Sequence, residues 1–211
     1  MMKIVSFNIH GFGGLAKQKS LHSLFLSLSP YMILIQETMC RHFPTLHAFS
    51  KLLSRWEFCA TNASGLFGGL LTGWNPHTVR CKAFEMVGGI LVQAKFRGSL
   101  ETFSILNYYG PYSGREYFWN CVMAGVLLSL PNSILVGDLN FTLNAGEIWG
   151  KSARLDHLAH FFKNFLSDNH LIDLPPPCAS LTWKNGRAGD DGISKRLDHF
   201  LLTASLVPLL Q

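Results

Sequence analysis

The chain has 211 residues, 48% of them hydrophobic and 15% charged, so it carries enough apolar surface to offset ordering entropy and is not intrinsically disordered. Its formal net charge of +5 suits a polyanionic partner without identifying one, and no Lys/Arg run forms a basic arm. Five widely spaced cysteines (40, 59, 81, 121, 178) without a Cys-x-x-Cys exclude a disulfide framework and a cysteine zinc site, and indicate a reducing compartment.

Lys3 to Phe7 (KIVSF) is a β-branched and aromatic run ended by Asn8 and a glycine-rich stretch, the pattern of a strand emptying into a loop. From Lys17 to Leu28, Leu21, Leu24, Phe25 and Leu28 recur at helical spacing, and Pro30 ends the pattern before a second strand, Tyr31 to Gln36. Strands are then predicted at Gly69 to Trp74, Ile90 to Phe96 and Thr102 to Tyr108, the last two too close for an intervening helix and therefore antiparallel. Helical spacing returns from Arg115 to Leu130. Its apolar stretch Val122 to Leu128 is far shorter than the roughly 18 residues of a membrane span, and the opening ten residues do not form a secretory signal. A short strand at Ile134 to Val136, a helix at Leu155 to Leu166 with Leu158, Phe161, Phe162 and Phe165 inward, and late strands at Leu181 to Trp183 and Arg196 to Leu202 complete the pattern. Strands interrupted by a few helices, without internal repeats, predict sheets packed together with helices outside.

Several hydrophobic strands end in small polar clusters: Asn8, Gln36-Glu37-Thr38, Asn107 to Tyr109, Gly137-Asp138-Leu139-Asn140, and Asp198 within RLDHFLL. A carboxylate at the end of such a strand is costly to desolvate unless it meets a cation or donors, and one shared pocket would supply partners for Glu37, Asp138 and Asp198. Period-2 alternation puts Asp138 and Asn140 on one face and Leu139 on the other. Hard oxygen donors such as Glu37 and Asn8 suit Mg²⁺ or Mn²⁺, which keep waters for phosphate oxygens to replace, so phosphoester chemistry follows. The competing explanation for any one cluster is an ordinary turn capped by Asn, Asp and Gly. Isolated tryptophans are more often core than stacking platforms, with Trp183 the exception, and Glu147 is expected to be a solvated loop charge.

In this order, Phe7-Asn8-Ile9-His10-Gly11, Gln36-Glu37-Thr38, Tyr109-Gly110-Pro111, Gly137-Asp138-Leu139-Asn140 and Arg196-Leu197-Asp198 resemble the motifs of the endonuclease/exonuclease/phosphatase superfamily, the DNase I-like fold. The resemblance runs from residue 3 to about 203. Within the superfamily, Leu181-Thr182-Trp183-Lys184-Asn185-Gly186 and the Asp198 strand are most similar to endonuclease domains of plant LINE-type retrotransposons, with apurinic/apyrimidinic endonucleases next. The resemblance implies one α/β domain over 1–211, a four-layered α/β sandwich of two mixed β-sheets flanked by helices, that cleaves DNA phosphodiesters as a nuclear monomer. It assigns metal binding to Glu37 and Asn8, and catalytic roles to Asp138 (water), Asn140 (scissile phosphate), Tyr109 (a phosphate oxygen) and Asp198. Asn8, His10, Arg115 and Trp183 become substrate contacts.

Two departures qualify this expectation. His10 stands where the family usually has Asn, Arg or Asp. The family's last strand, which carries a Ser-Asp-His whose His pairs with the aspartate matching Asp198, is absent before Gln211, and His199 is sent to the opposite face by alternation. The expectation is therefore a C-terminally truncated domain with weak or no nuclease activity. The alternatives are a non-catalytic nucleic-acid-binding remnant and a small-molecule phosphatase or phosphodiesterase of the same fold.

Overall fold

In the computed structural model, which describes residues 2–64, 67–124, 130, 132–151, 153–176 and 181–209, the chain divides into two units, Met1–Tyr109 and Gly110–Gln211. The first unit carries β1 (Ile4–Asn8), α1 (Leu15–Leu28), β2 (Met32–Gln36), α2 (His42–Leu52), β3 (Glu57–Ala60), β4 (Ala63–Ser64), β5 (Phe67–Gly68), β6 (Leu71–Trp74), β7 (Val79–Met86), β8 (Gly89–Phe96) and β9 (Phe103–Tyr109). β1 and β2 pair in parallel across α1, and β6 and β3 extend that sheet antiparallel in the order β1-β2-β6-β3. β7, β8 and β9 are antiparallel, as their short connections predict.

Every residue of β2 is buried, which is why MILI reads as an uninterrupted apolar run. Ile33 and Ile35 join a core with Leu21 and Phe25 of α1, Phe49 of α2 and Phe12, whose ring stacks on Phe49 at 4.5 Å. α2 was not expected from the sequence: Pro44 and two histidines obscure its apolar spacing, yet proline is tolerated in a first turn, where its missing N–H has no helical partner to lose. β7 was hidden because Arg80 and Lys82 interrupt its apolar pattern and only Val79 of its eight residues is buried.

On the other side of β2, Gln36 Nε2 donates to Asn107 Oδ1 at 2.7 Å, and Asn107 Nδ2 reaches the Ile35 and Leu71 carbonyls at 3.3 and 3.1 Å. Both side chains are fully buried. Asn107→Ala removes one partner and leaves buried polar groups unmatched, so it is expected to cost about 1–3 kcal/mol by urea unfolding. A loss within about 0.5 kcal/mol, typical of surface changes, would show that the network contributes little.

The second unit carries α3 (Arg115–Ala124), β10 (Ser133–Asp138), β11 (Ile148–Trp149), α4 (Ala159–Asp168), β12 (Leu171–Asp173), β13 (Trp183–Lys184), β14 (Ser194–Lys195) and β15 (Asp198–Thr203). β15 lies antiparallel between β10 and β12, and β14 pairs with both β11 and β13. The expected continuation of α3 through residues 125–129 lies outside the described residues. The core is aromatic: Phe141 stacks on Phe162 at 3.9 Å, and Trp119 meets Phe141, Phe162 and Phe165 edge-on. α4 starts at Ala159, four residues later than its apolar spacing suggests. Asp156 caps it from outside, its Oδ1 accepting the Leu158 N–H at 2.9 Å and its carbonyl the Ala159 N–H at 3.0 Å. No described helix is long and apolar enough to cross a membrane. Among the described residues Cys40, Cys59, Cys81 and Cys121 are free thiols.

Candidate active site

In the first unit, β1 and β2 run side by side with Asn8 opposite Gln36, so their parallel register delivers both polar ends to one edge. The segments that follow are laced together: the N–H groups of Ile9, Gly11 and Phe12 donate to the carbonyls of Gln36, Glu37 and Thr38 at 3.0, 2.7 and 2.9 Å. From the other side, Thr38 and Met39 donate to the carbonyls of Gly69 and Gly68. This lattice holds Glu37 in a left-handed conformation, φ 51°, which a non-glycine residue adopts only when its surroundings impose it. Gly69, φ 79°, admits no side chain here, because a Cβ would lie 2.4 Å from Thr38 Oγ1.

Glu37 is buried, with only 3% of its side chain exposed. Its Oε1 accepts from the Tyr109 hydroxyl, and its Oε2 lies 2.9 Å from His10 Nδ1. Asn8 Oδ1 accepts the His10 N–H at 2.9 Å, and the His10 side chain is largely solvent-exposed. Lys17 reaches back from α1 to donate to the carbonyls of Ile9, His10 and Gly11 at 2.8, 3.3 and 2.9 Å. Asn8, His10, Glu37 and Tyr109 are thus brought together in this unit. Lys17, which fixes the loop between two of them, was missed because a lone lysine on an amphipathic helix carries no sequence signal of what its head will meet.

In the second unit, β10 delivers Asp138, 3% exposed, and the chain then leaves the strand. Asn140 is left-handed at φ 53°, so strand alternation does not carry through to it as expected. Asp138 and Asn140 are adjacent for another reason: Asp138 Oδ1 accepts the Asn140 N–H at 3.1 Å. Asn140 Nδ2 donates to the Gly110 carbonyl at 2.5 Å, and Arg115 donates to the Asn140 carbonyl at 2.9 Å. Gly110 is obligatory because a Cβ there would sit 2.2 Å from the Leu139 carbonyl oxygen. The Asn140 backbone is therefore held at both its N–H and its carbonyl, its side-chain amide is tied to Gly110, and the second hydrogen of Nδ2 can be offered to a ligand.

Arg115 is not an open basic arm. Its guanidinium forms a bidentate pair with Asp156 at 2.5 and 2.9 Å, with only 12% of its side chain exposed. These donors steady Asn140, which makes Arg115 a positioning residue. Asp156 was missed, since nothing in its sequence neighbourhood points 41 residues back to Arg115. Trp183, 37% exposed, lines a cleft of about 440 Å³ together with Asn140, Arg115, Arg154 and Lys195.

Asp198 pairs in register with Asp138, and residues directly opposite on antiparallel strands project to one face, so the two carboxylates share an edge. The Asp198 N–H donates to Thr182 Oγ1 at 3.2 Å. His199 points the other way, as alternation requires. It is 1% exposed, stacks on Phe141 at 5.0 Å and lies 3.2 Å from Asp173 Oδ2.

Below that face lies a second acidic group, Glu147, Asp173 and His199, with ligand atoms within 4.8 Å of one another. Arg196 occupies its centre, bonded to Glu147 Oε1 at 2.9 Å and to both Asp173 oxygens at 2.7 Å. A dication would have to share two carboxylates with a guanidinium that already neutralises them, so this cluster is an internal ion network and does not fit a metal. Glu147 is correspondingly not the solvated loop charge expected of it: it is 6% exposed, and its Oε2 accepts the Leu143 N–H at 2.6 Å.

Burial raises the Asp156 carboxyl, but the hydrogen bonds from Arg115 and the Leu158 N–H, with the nearby cationic charge, outweigh it and hold the group below its ordinary value. For Asp173, burial is likewise outweighed by His199 and Arg196. Depressed folded values mean that this stabilisation is complete above the unfolded carboxyl value near 3.9 and is lost as pH falls through the folded values. The melting temperature should be flat between about pH 6 and 5 and fall steeply below about pH 4. Asp156→Asn should flatten that descent.

The Endonuclease/Exonuclease/phosphatase family model matches residues 5–210. No curated protein sequence matches the chain. Among solved structures, the AP endonuclease LMAP from Leishmania major superposes with a TM-score of 0.76 at 16% identity, covering 97% of this chain and 80% of that one. The endonuclease domain of TRAS1, a telomere-specific non-LTR retrotransposon, gives 0.73 at 16% identity over 99% and 88%. The Xenopus laevis APE2 catalytic domain gives 0.73 at 17% identity over 98% and 84%. These likenesses show the fold: two mixed β-sheets flanked by helices, the DNase I-like α/β sandwich expected from the sequence.

Proposed function

Because the chain belongs to the endonuclease/exonuclease/phosphatase family, we propose that it is a Mg²⁺-dependent phosphodiester hydrolase, a DNA endonuclease of retrotransposon type acting as a single catalytic domain on nuclear DNA. The observation that carries this reading is the buried Glu37 carboxylate, held by the Tyr109 hydroxyl and His10. A carboxylate can accept about four hydrogen bonds or ligand contacts, so two remain available after these. With the Asn8 amide oxygen, which accepts the His10 N–H, as a second donor, the set is hard oxygen throughout except for the exposed His10 ring, which suits Mg²⁺ or Mn²⁺. Bound there, the ion would polarise a phosphoryl oxygen and stabilise charge on the leaving oxygen.

The residues of the chain do the rest. Asp138 takes a proton from the attacking water, with its carboxylate oriented by the Asn140 N–H. The remaining Nδ2 hydrogen of Asn140 donates to a non-bridging phosphate oxygen, and its rigid mounting means little reorganisation is needed as charge develops. Tyr109 passes its hydroxyl between Glu37 and a phosphate oxygen. Asp198, beside Asp138, keeps the local potential negative and favours protonation of its neighbour once the water has been deprotonated. Trp183 and His10 contact the DNA.

The test is nicking of supercoiled plasmid. Mg²⁺-dependent relaxation that is lost in EDTA is expected. Salt-dependent plasmid binding without nicking in Mg²⁺ or Mn²⁺ would overturn the hydrolase in favour of a binding module, and hydrolysis of inositol phosphates without nicking would overturn the DNA substrate.

A further inference from the structure

Four of the chain's cations, Arg80, Lys82, Lys95 and Arg97, lie around the β7–β8 hairpin, away from the family motifs. On the β7–β8 hairpin, Arg80 stands directly opposite Lys95 and Lys82 opposite Gln93. Residues two apart share a face of a strand, so Arg80, Lys82 and Phe84 project together with Lys95, and all four are exposed. Arg97 continues the row, its N–H held by the Thr78 carbonyl at 2.8 Å. Like charges placed directly across a ladder destabilise it. Among the described residues none of these four cations has an ion-pair partner. Arg80, Lys95 and Arg97 also line a cleft of about 450 Å³ with His77, Thr78 and Ser99, and no acidic residue is among those lining it.

Charges on an edge strand protect it from pairing with other chains, but that role asks nothing of Lys95, which lies on the inner strand β8. Phe84, 47% exposed, lies one repeat beyond Lys82 on the same face. Cations spaced about 6.6 Å apart along a strand and followed by an open aromatic ring form the combination that tracks a phosphate backbone and stacks a base. The row starts at the Phe103 end of the sheet, about 20 Å along β9 from Tyr109, and runs toward the Tyr109 end, because Gly89 pairs with Tyr108.

We propose that the outward face of the β7–β8 hairpin is a binding track for single-stranded nucleic acid, in which Arg80, Lys95, Arg97 and Lys82 take successive phosphates and Phe84 stacks a base. The track does not depend on the hydrolase reading, since a strand can be held here whether or not it is cut.

The experiment is fluorescence anisotropy in EDTA, where metal-dependent cleavage is silent, with a labelled oligothymidylate of about 20 nucleotides, longer than the usual site of about 4–16. The double variant Arg80→Gln/Lys95→Gln is compared with Lys19→Gln/Lys51→Gln, which removes the same charge from the α1–α2 face. The hairpin variant should lower the slope of log K against log[salt] by about 1.4, or about 0.7 per lost phosphate contact, and weaken binding at least about tenfold at low salt. The helix variant should match the unmodified chain. Phe84→Ala should weaken binding about fivefold or more without changing the slope. Equal slopes in all proteins, an equal fall in both double variants, or a polyglutamate peptide that binds as tightly as the oligonucleotide would overturn the proposal.

Discussion

Asp138→Asn is expected to lower Mg²⁺-dependent nicking about 10²–10⁴-fold, the contribution of a positioned acid–base group. The substitution is chosen for what it keeps. An asparagine at 138 retains the oxygen that accepts the Asn140 N–H, and the backbone carbonyl still receives the Gly110 N–H at 2.8 Å. Only the charge and the basic oxygen are lost. Thermal stability should therefore hold or rise, because Asp138 is buried directly across from Asp198 and removing one of two neighbouring carboxylates relieves their repulsion. A loss of activity that follows a fall in melting temperature would mean that Asp138 serves the fold. Full activity in Asp138→Asn would end its assignment as the group that activates water.

The largest expected effect on stability belongs to Arg196→Met. Its guanidinium is 10% exposed and holds Glu147, both oxygens of Asp173 and the Leu174 carbonyl. Methionine fills much of the space but leaves the buried Glu147 and the half-buried Asp173 carboxylates without their shared cation, which costs about 3–5 kcal/mol when a single partner of a buried pair is removed. The urea midpoint reads this directly. Adding Asp173→Asn and Glu147→Gln to Arg196→Met should recover much of the loss, since removing an entire buried ion network is often close to neutral. A loss below about 1 kcal/mol for Arg196→Met would place the network among weak surface pairs. Because Arg196 and Leu197 lead straight into Asp198, loosening the network should also reduce nicking.

The strands and helices with unbroken apolar patterns were legible because their physics is local. β2 is buried on both faces and reads as a continuous run, while α1 keeps Leu21 and Phe25 on one stripe. α2 and β7 were not, since a proline in the first turn of the one and Arg80 and Lys82 in the other mask the spacing that periodicity detects. The late start of α4 was decided by Asp156, whose orientation is set by Arg115 from another helix.

The sequence by itself determined which side chains end the hydrophobic strands: Asn8, Glu37, Tyr109, Asp138, Asn140 and Asp198 can be named from residue type, order and spacing, because desolvating a polar group at such a position demands a reason. Tertiary structure alone decided what each one meets. The left-handed turns at Glu37 and Asn140, the reach of Lys17 to three carbonyls, the commitment of Arg115 to Asp156 and the burial of Glu147 against Arg196 all depend on partners brought close by folding. A hydrogen bond or ion pair acts over a few ångströms in space and is indifferent to separation along the chain, so no local pattern can encode it.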